Sequence, residues 1–421
     1  MTDSLQSSLR PLGAFEHLID LYIGRHPVQF SIAIELAVRV DPDAMARALA
    51  TLQKIHPLLA ARIDRAGGPS VFRHSFGAVP LKVEDTRDWI GAVAAEQTTV
   101  IDPDGAPLAR ASIVHPGGVD ESTVVILTFS HQIADGRGAL RAIHDLLAML
   151  DGRDVCTRPT PASQESLLES TPETPETEPR PARETQIARR PTASVRPFDG
   201  ATPTVEVAAL DRNQTTRLRD AARTNDATVQ GALCAAAAQA LTTRSTTGTV
   251  RINSPIDLRS AVGLTDDVAN RFTATTVELK DPQGQDFWTL AQDATTQLRT
   301  GRTLARAAAL ALASLQPADA REAEAALLAA TSADIEITNL GIVESLSCHA
   351  EAVWGPSMVT QVQGEIVVGV VTYAGALRIT VTGHDGVRGL ATDMTTSLTH
   401  IAPLHSSPPR SGTSPVTEGR S

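Results

Sequence analysis

The stretch TFSHQIADGRGA, residues 128–139, places His131, Asp135 and Gly136 between an apolar run, STVVIL, and a helical pattern. A histidine with an ordinary pKa near 6.5 is mostly neutral at pH 7 and can accept a proton, so His131 is a candidate general base. Asp135 is too close in sequence to be taken as its charge partner. It is better placed to cap the following helix or to pair with an arginine from elsewhere. Gly136 permits backbone conformations closed to other residues and close approach of chain or ligand. The plain alternative is a strand–turn–helix junction without chemistry. A metal site built from His131, Asp135 and His144 lacks a third ligand at convincing spacing, so no metal is expected.

The elements that must position these residues are legible around them. STVVIL reads as a buried strand, and RGALRAIHDLLAML carries Leu140, Ile143, Leu147 and Leu150 at helical spacing. FSIAIELAVRVDPDAMARALATLQKI and TVEVAALDRNQTTRLRDAART each read as a strand, an aspartate cap (Asp41, Asp211) and an amphipathic helix, a local hint of duplicated α/β architecture. VRINSPIDLRS and TATTVELK are further strands, and GEIVVGVVTYAGALRITVTG reads as a hairpin turning at Ala374 and Gly375. Neither a GxGxxG nor a P-loop pattern is present, which removes the common nucleotide-binding readings.

A chain of 421 residues exceeds what one core usually supports, so two subdomains are expected. Residues 157–200, rich in Pro, Thr, Glu and Arg, read as a mobile linker, and residues 403–421 as a disordered tail. The halves are then 1–156 and 201–402. The net charge of −11 argues against a nucleic-acid partner. Cys156, Cys234 and Cys348 are few and far apart, as in a reduced compartment. With no membrane-length apolar run and no signal-peptide pattern at the start, a cytoplasmic protein is expected.

The motif SHQIADG resembles the HHxxxDG signature of the CoA-dependent acyltransferase superfamily, which includes condensation domains, BAHD enzymes and polyketide-associated (Pap-type) acyltransferases. RPLGAFEHLI and LAVRVDPDAMARALATLQKIHPLLAARI resemble the Pap-type N-terminus and its first strand and helix. NSPIDLRS and ADIEITNLGIVE resemble two later strands of the superfamily, in the same order along the chain, while AVWGP is only a faint echo of the BAHD phrase. The resemblance implies a mixed α/β fold of two chloramphenicol-acetyltransferase-like subdomains with an active-site tunnel between them. It implies an acyl donor held as a CoA or carrier-protein thioester, a hydroxylated small-molecule or lipid acceptor, no permanently bound cofactor and a monomeric state. His131 would be the general base, and Asp135 would pair with Arg259 to hold the loop. Ser130 stands where the first motif histidine usually does. Ser130 and Asn339 are candidates for substrate contact, and Asn270 resembles a structural position. The rival readings are an amide-forming condensation-type enzyme and a catalytically silent relative that binds a carrier protein.

Overall fold

A run such as TVVILTF at 123–129, apolar but for Thr123 and Thr128, has no charged face to offer solvent, so it forms a strand covered on both sides. In the computed structural model, which describes residues 8–117, 122–171, 193–243, 248–264 and 266–401, the whole of that run is buried. The first half contains β1 (Ser8–Pro11), α1 (Ala14–Ile23), β2 (Gln29–Leu36), α2 (Pro42–Ile55), β3 (Ala61–Asp64) and β4 (Val71–His74). It continues through β5 (Leu81–Asp85), α3 (Trp89–Glu96), β6 (Ala109–His115), β7 (Thr123–Ser130) and α4 (Gly136–Leu150). After α5 (Gln164–Ser170) come β8 (Thr204–Leu210), α6 (Arg212–Thr224), α7 (Val229–Thr242), β9 (Thr249–Asp257), β10 (Phe272–Lys280) and α8 (Phe287–Ala313). The chain then runs through α9 (Ala320–Thr331), β11 (Ile335–Val343), β12 (Ala350–Met358), β13 (Ile366–Tyr373), β14 (Ala376–Gly383) and α10 (Leu390–His400).

Two large sheets organise the molecule, in the orders β12-β2-β7-β6-β5 and β10-β9-β11-β13-β14-β8, with a small sheet β1-β4-β3 beside them. The duplication seen in the sequence extends further than the two capped helices. Asp41 accepts from the Ala44 amide at 2.8 Å, and Asp211 accepts from Gln214 at 2.7 Å, so both helices start as their caps dictate. In addition, β6 and β7 lead through residues 130–136 into α4, as β13 and β14 lead through GHDG (383–386) into α10. The β13–β14 hairpin turns at Ala374 and Gly375, both at positive φ, as a two-residue turn of the primed type requires.

Two expectations about chain organisation need correction. The division into 1–156 and 201–402 describes the order of elements but does not separate the sheets. β12, from the second half, pairs antiparallel with β2 and completes the first sheet. Nor is the whole of 157–200 a free linker. Ser163 caps α5, Leu168 is buried, Glu165 accepts from the Phe15 amide at 2.7 Å, and Arg271 donates to the Ala162 carbonyl at 2.6 Å. At the other end Arg196 donates its amide to Gln361 and Gln363 donates to Ser194, each at 2.8 Å. A few well-placed polar contacts and one leucine hold these ends against the body, which composition averaged over the segment hides. The centre of that segment, 172–192, and the tail from 402 onward lie outside the described residues.

The helix that follows the His131 loop is fixed by the stripe read from the sequence. Leu140, Ile143 and Leu147 are buried, and the helix packs on α2 beside Met45, Leu49 and Leu52. Polar contacts reinforce it: fully buried Asp145 accepts from His56 Nε2 at 2.9 Å and from Arg141. Burial alone would raise the Asp145 carboxyl, but the bonds from His56 and Arg141 hold it well below the usual carboxylate range. Ile143→Ala is expected to cost about 2–5 kcal/mol in urea denaturation, because it opens a cavity in the layer that supports the loop.

Candidate active site

Apolar strands end where their sheet meets the other half, and the polar residues at those ends face each other across a gap. That gap is a cavity of about 440 Å³, lined from both halves of the chain. Phe30 on β2, His131 after β7, Phe272 on β10 and Leu340 on β11 all contribute to its wall. Along β9, the alternate residues Asn253, Pro255 and Asp257 face it, as the period of a strand requires, and β11 contributes Glu336, Thr338, Asn339 and Leu340.

His131 sits between two aromatic rings, with centroids 5.2 Å from Phe30 and 5.3 Å from Phe272. Its main chain is tied on both sides: the amide donates to Val28 at 3.2 Å, and the carbonyl accepts from Asn270 Nδ2 at 2.8 Å. Nδ1 is buried with no hydrogen bond to another side chain, which leaves Nε2 as the nitrogen facing the cavity. Burial lowers the pKa of His131, partly opposed by the Asp135 charge, its own main chain and Asn270. The imidazole is therefore held neutral, the form that accepts a proton.

Asp135 has both roles anticipated for it. It caps α4, accepting from the Gly138 amide at 2.7 Å, and it takes a two-pronged ion pair from Arg259 at 2.9 and 3.0 Å. The Arg271 amide adds a bond at 2.8 Å. Arg259 is 1% exposed and also reaches Asp257 at 2.9 Å and the carbonyls of Asp267 and Ala269 at 3.0 Å. Burial by itself would raise the Asp135 carboxyl, but the Arg259 charge and the hydrogen bonds outweigh it and leave the pKa lowered. Burial likewise opposes the charge on Arg259, and Asp135, Asp267 and Asp257 more than compensate. This lock joins the loop after β7 to the segment after β9, so it couples the two halves beside the base.

Other residues read from the sequence fall differently. Gly136 is the first residue of α4 and has no positive φ; what it supplies is room, since a Cβ there would lie 2.6 Å from the Leu340 side chain. Ser130 is buried away from the cavity wall, and its hydroxyl donates to Gln132 at 2.8 Å, so it is not placed to touch substrate. The reason is strand alternation: neighbouring residues at a strand end face opposite ways, and His131 has the cavity side. Asn339 lines the cavity, but its amide is spent within the protein, donating to Gln230 at 3.0 Å and accepting from Gly341 at 2.9 Å. His144 lies against Asp145, outside the cavity lining, so it does not converge with His131.

Sequence patterns did not reveal Phe30 and Phe272 as the walls of the base, nor Asn253, Glu336 and Glu365 at the cavity's other end. Alternation along NSPID and EITNL was the available signal, but it needs the facing strands to give it meaning. Among the described residues, Asp151, Cys348 and His349 bring possible ligand atoms within 4.8 Å of one another at the surface, where the Asp151 carboxylate already accepts from Ser347 and Arg153. No described helix is long and apolar enough to cross a membrane.

Residues 199–382 match the family described as the phthiocerol/phthiodiolone dimycocerosyl transferase C-terminus. No curated protein matches the chain. Polyketide synthase associated protein 5 from Mycobacterium tuberculosis is similar over 94% of this chain and 99% of its own, with a TM-score of 0.65 and 17% identity. The first condensation domain of the calcium-dependent antibiotic synthetase, in complex with a substrate analogue, is similar over 94% and 97%, with a TM-score of 0.66 and 15% identity. The EpoB NRPS cyclization-docking bidomain from Sorangium cellulosum is similar over 93% and 84%, with a TM-score of 0.65 and 15% identity. The chain thus has the mixed α/β fold of these polyketide-associated and condensation-domain structures, and its residues 199–382 are similar to the dimycocerosyl transferase C-terminal family.

Proposed function

We propose that this protein is an acyltransferase that moves an acyl group from a CoA or carrier-protein thioester to a hydroxyl acceptor. The observation that carries this reading is a neutral, half-buried His131 on the wall of a mainly apolar cavity, with the loop bearing it locked by Asp135 and Arg259. An apolar cavity with few polar groups suits an acyl chain and a lipid or polyketide acceptor. In the reaction Nε2 of His131 removes the acceptor's proton as its oxygen attacks the thioester carbonyl. The C–O bond forms, the tetrahedral intermediate collapses, the C–S bond breaks, and the leaving thiolate takes the proton back from the imidazolium. The chemistry asks for a base and for orientation within a water-poor site, and Phe30 and Phe272 supply the enclosure. Asp135 acts through position, holding the loop, since both its oxygens are spent on Arg259 and on backbone amides.

The test is acyl transfer from a panel of acyl-CoAs and acylated carrier proteins to alcohols and amines, with product mass identified. An ester from an alcohol supports the reading; amides alone would replace it with the condensation-type alternative. The pH profile is a second check. Because burial lowers the His131 pKa, the acid limb of kcat/KM is expected to have its midpoint below pH 6.5, with a slope of one proton. An acid limb centred above pH 6.5 would assign the titrating base to another group.

A further inference from the structure

The cavity has a second polar end. Glu336 and Glu365 stand at the starts of the neighbouring parallel strands β11 and β13, each 8% exposed, and both line the cavity. Glu336 accepts from Asn253 Nδ2 at 2.9 Å. Both carboxyl oxygens of Glu365 are buried without a hydrogen-bond partner, as are Asn253 Oδ1 and Thr360 Oγ1. Burial raises the pKa of each glutamate, and Glu336 raises that of Glu365 further. Among the described residues lining the cavity, the arginines are Arg137 and Arg259, and both pair with Asp257 at the opposite end, at 3.5 and 2.9 Å. Asn253 Oδ1 is an acceptor, the Thr360 hydroxyl can turn to accept, and the Glu365 carboxyl offers two acceptor oxygens once ionised, in a part of the cavity without a cation.

Buried carboxyl groups left without donors are costly, and an ammonium group, with three donors and no acceptor, is the complement of such a set. Position adds a second argument. Asn253, beside Glu336, is four residues along β9 from Asp257, whose partner on β10 is Phe272, the ring against His131. At the rise of a strand those levels are roughly 13 Å apart, too far for one nitrogen to sit at the glutamates and react at His131.

We propose that Glu336 and Glu365 form a receptor for a cationic amine at the end of the substrate remote from the reacting hydroxyl. That the hydroxyl is the reacting group rests on the acyl-transfer reading; the binding of the amine does not. Held as an ammonium, the nitrogen has no lone pair for attack, so the receptor also directs acylation to oxygen.

The test is calorimetric binding of decanol and of aminodecanol, with amine and hydroxyl at opposite ends, to wild type, Glu365→Gln and Glu336→Gln. Wild type is expected to bind aminodecanol at least about tenfold more tightly than decanol, as charge-assisted hydrogen bonds to a buried carboxylate allow. Each variant is expected to lose most of that preference while keeping decanol affinity. Equal affinity in wild type, no binding of aminodecanol, or a preference that survives in both variants overturns the proposal. The wild-type comparison stands even if one variant does not fold. Acyl transfer to decanol, measured alongside, keeps the two ideas apart. Ester formation without an amine preference removes the receptor alone, and an amine preference without transfer removes the hydroxyl-acylation reading alone.

Discussion

Replacing His131 with alanine is expected to lower kcat/KM for acyl transfer by about 10²–10⁴-fold, the range that a positioned general base supplies. The fold should survive. Nδ1 makes no hydrogen bond to another side chain, so the change removes ring packing against Phe30 and Phe272 at a cost of about 1–2 kcal/mol. Transfer rate and thermal melting, read on the same preparation, separate loss of chemistry from loss of structure. His131→Gln provides a control that fills more of the space without offering a base. Turnover within about threefold of wild type in either variant would remove His131 from the general-base role.

Asp135 and Arg259 are expected to behave as one unit. Removing either partner leaves a buried charge with incomplete compensation, which costs about 3–5 kcal/mol, a large share of the stability of a folded chain. Asp135→Ala also loses the cap of α4, about 1 kcal/mol of that total. The double variant should be less destabilised than the sum of the singles by at least about 2 kcal/mol, because the second substitution removes a charge that the first had already stranded. Urea denaturation of the four proteins of the cycle measures this. Additive losses would mean that the two-pronged contact is energetically inert. The lock also predicts a direction with pH. The Asp135 pKa is lowered in the folded state, so its stabilising contribution is complete above the unfolded value and is lost as pH falls below about 4. Activity should fall with the lock, since it holds the loop that carries His131.

Much of this is legible in the sequence. The paired signature of His131 with Asp135, the caps at Asp41 and Asp211, the stripe on α4 and the turn at Ala374 and Gly375 are all local patterns. Each depends on neighbours within a turn or a strand, and that is why periodicity and capping chemistry carry them. The pairing of Asp135 with Arg259 was legible only through the resemblance, because 124 positions separate them and no local rule joins them. Ser130 and Asn339 show the limit from the other side. Both sit in recognisable motifs, yet one faces away from the cavity and the other has spent its amide on Gln230 and Gly341.

What the sequence alone determined was the elements with strong local patterns and the group able to accept a proton, since helix caps, strand alternation and side-chain chemistry act at short range. What only the tertiary structure decided was the site as a cavity. β12 had to leave its own half and join the first sheet, and β9, β11 and β13 had to align, before Glu336, Glu365 and Asn253 could face the same space as His131. Those contacts are long-range, and their outcome depends on which faces remain unsatisfied once both sheets have packed.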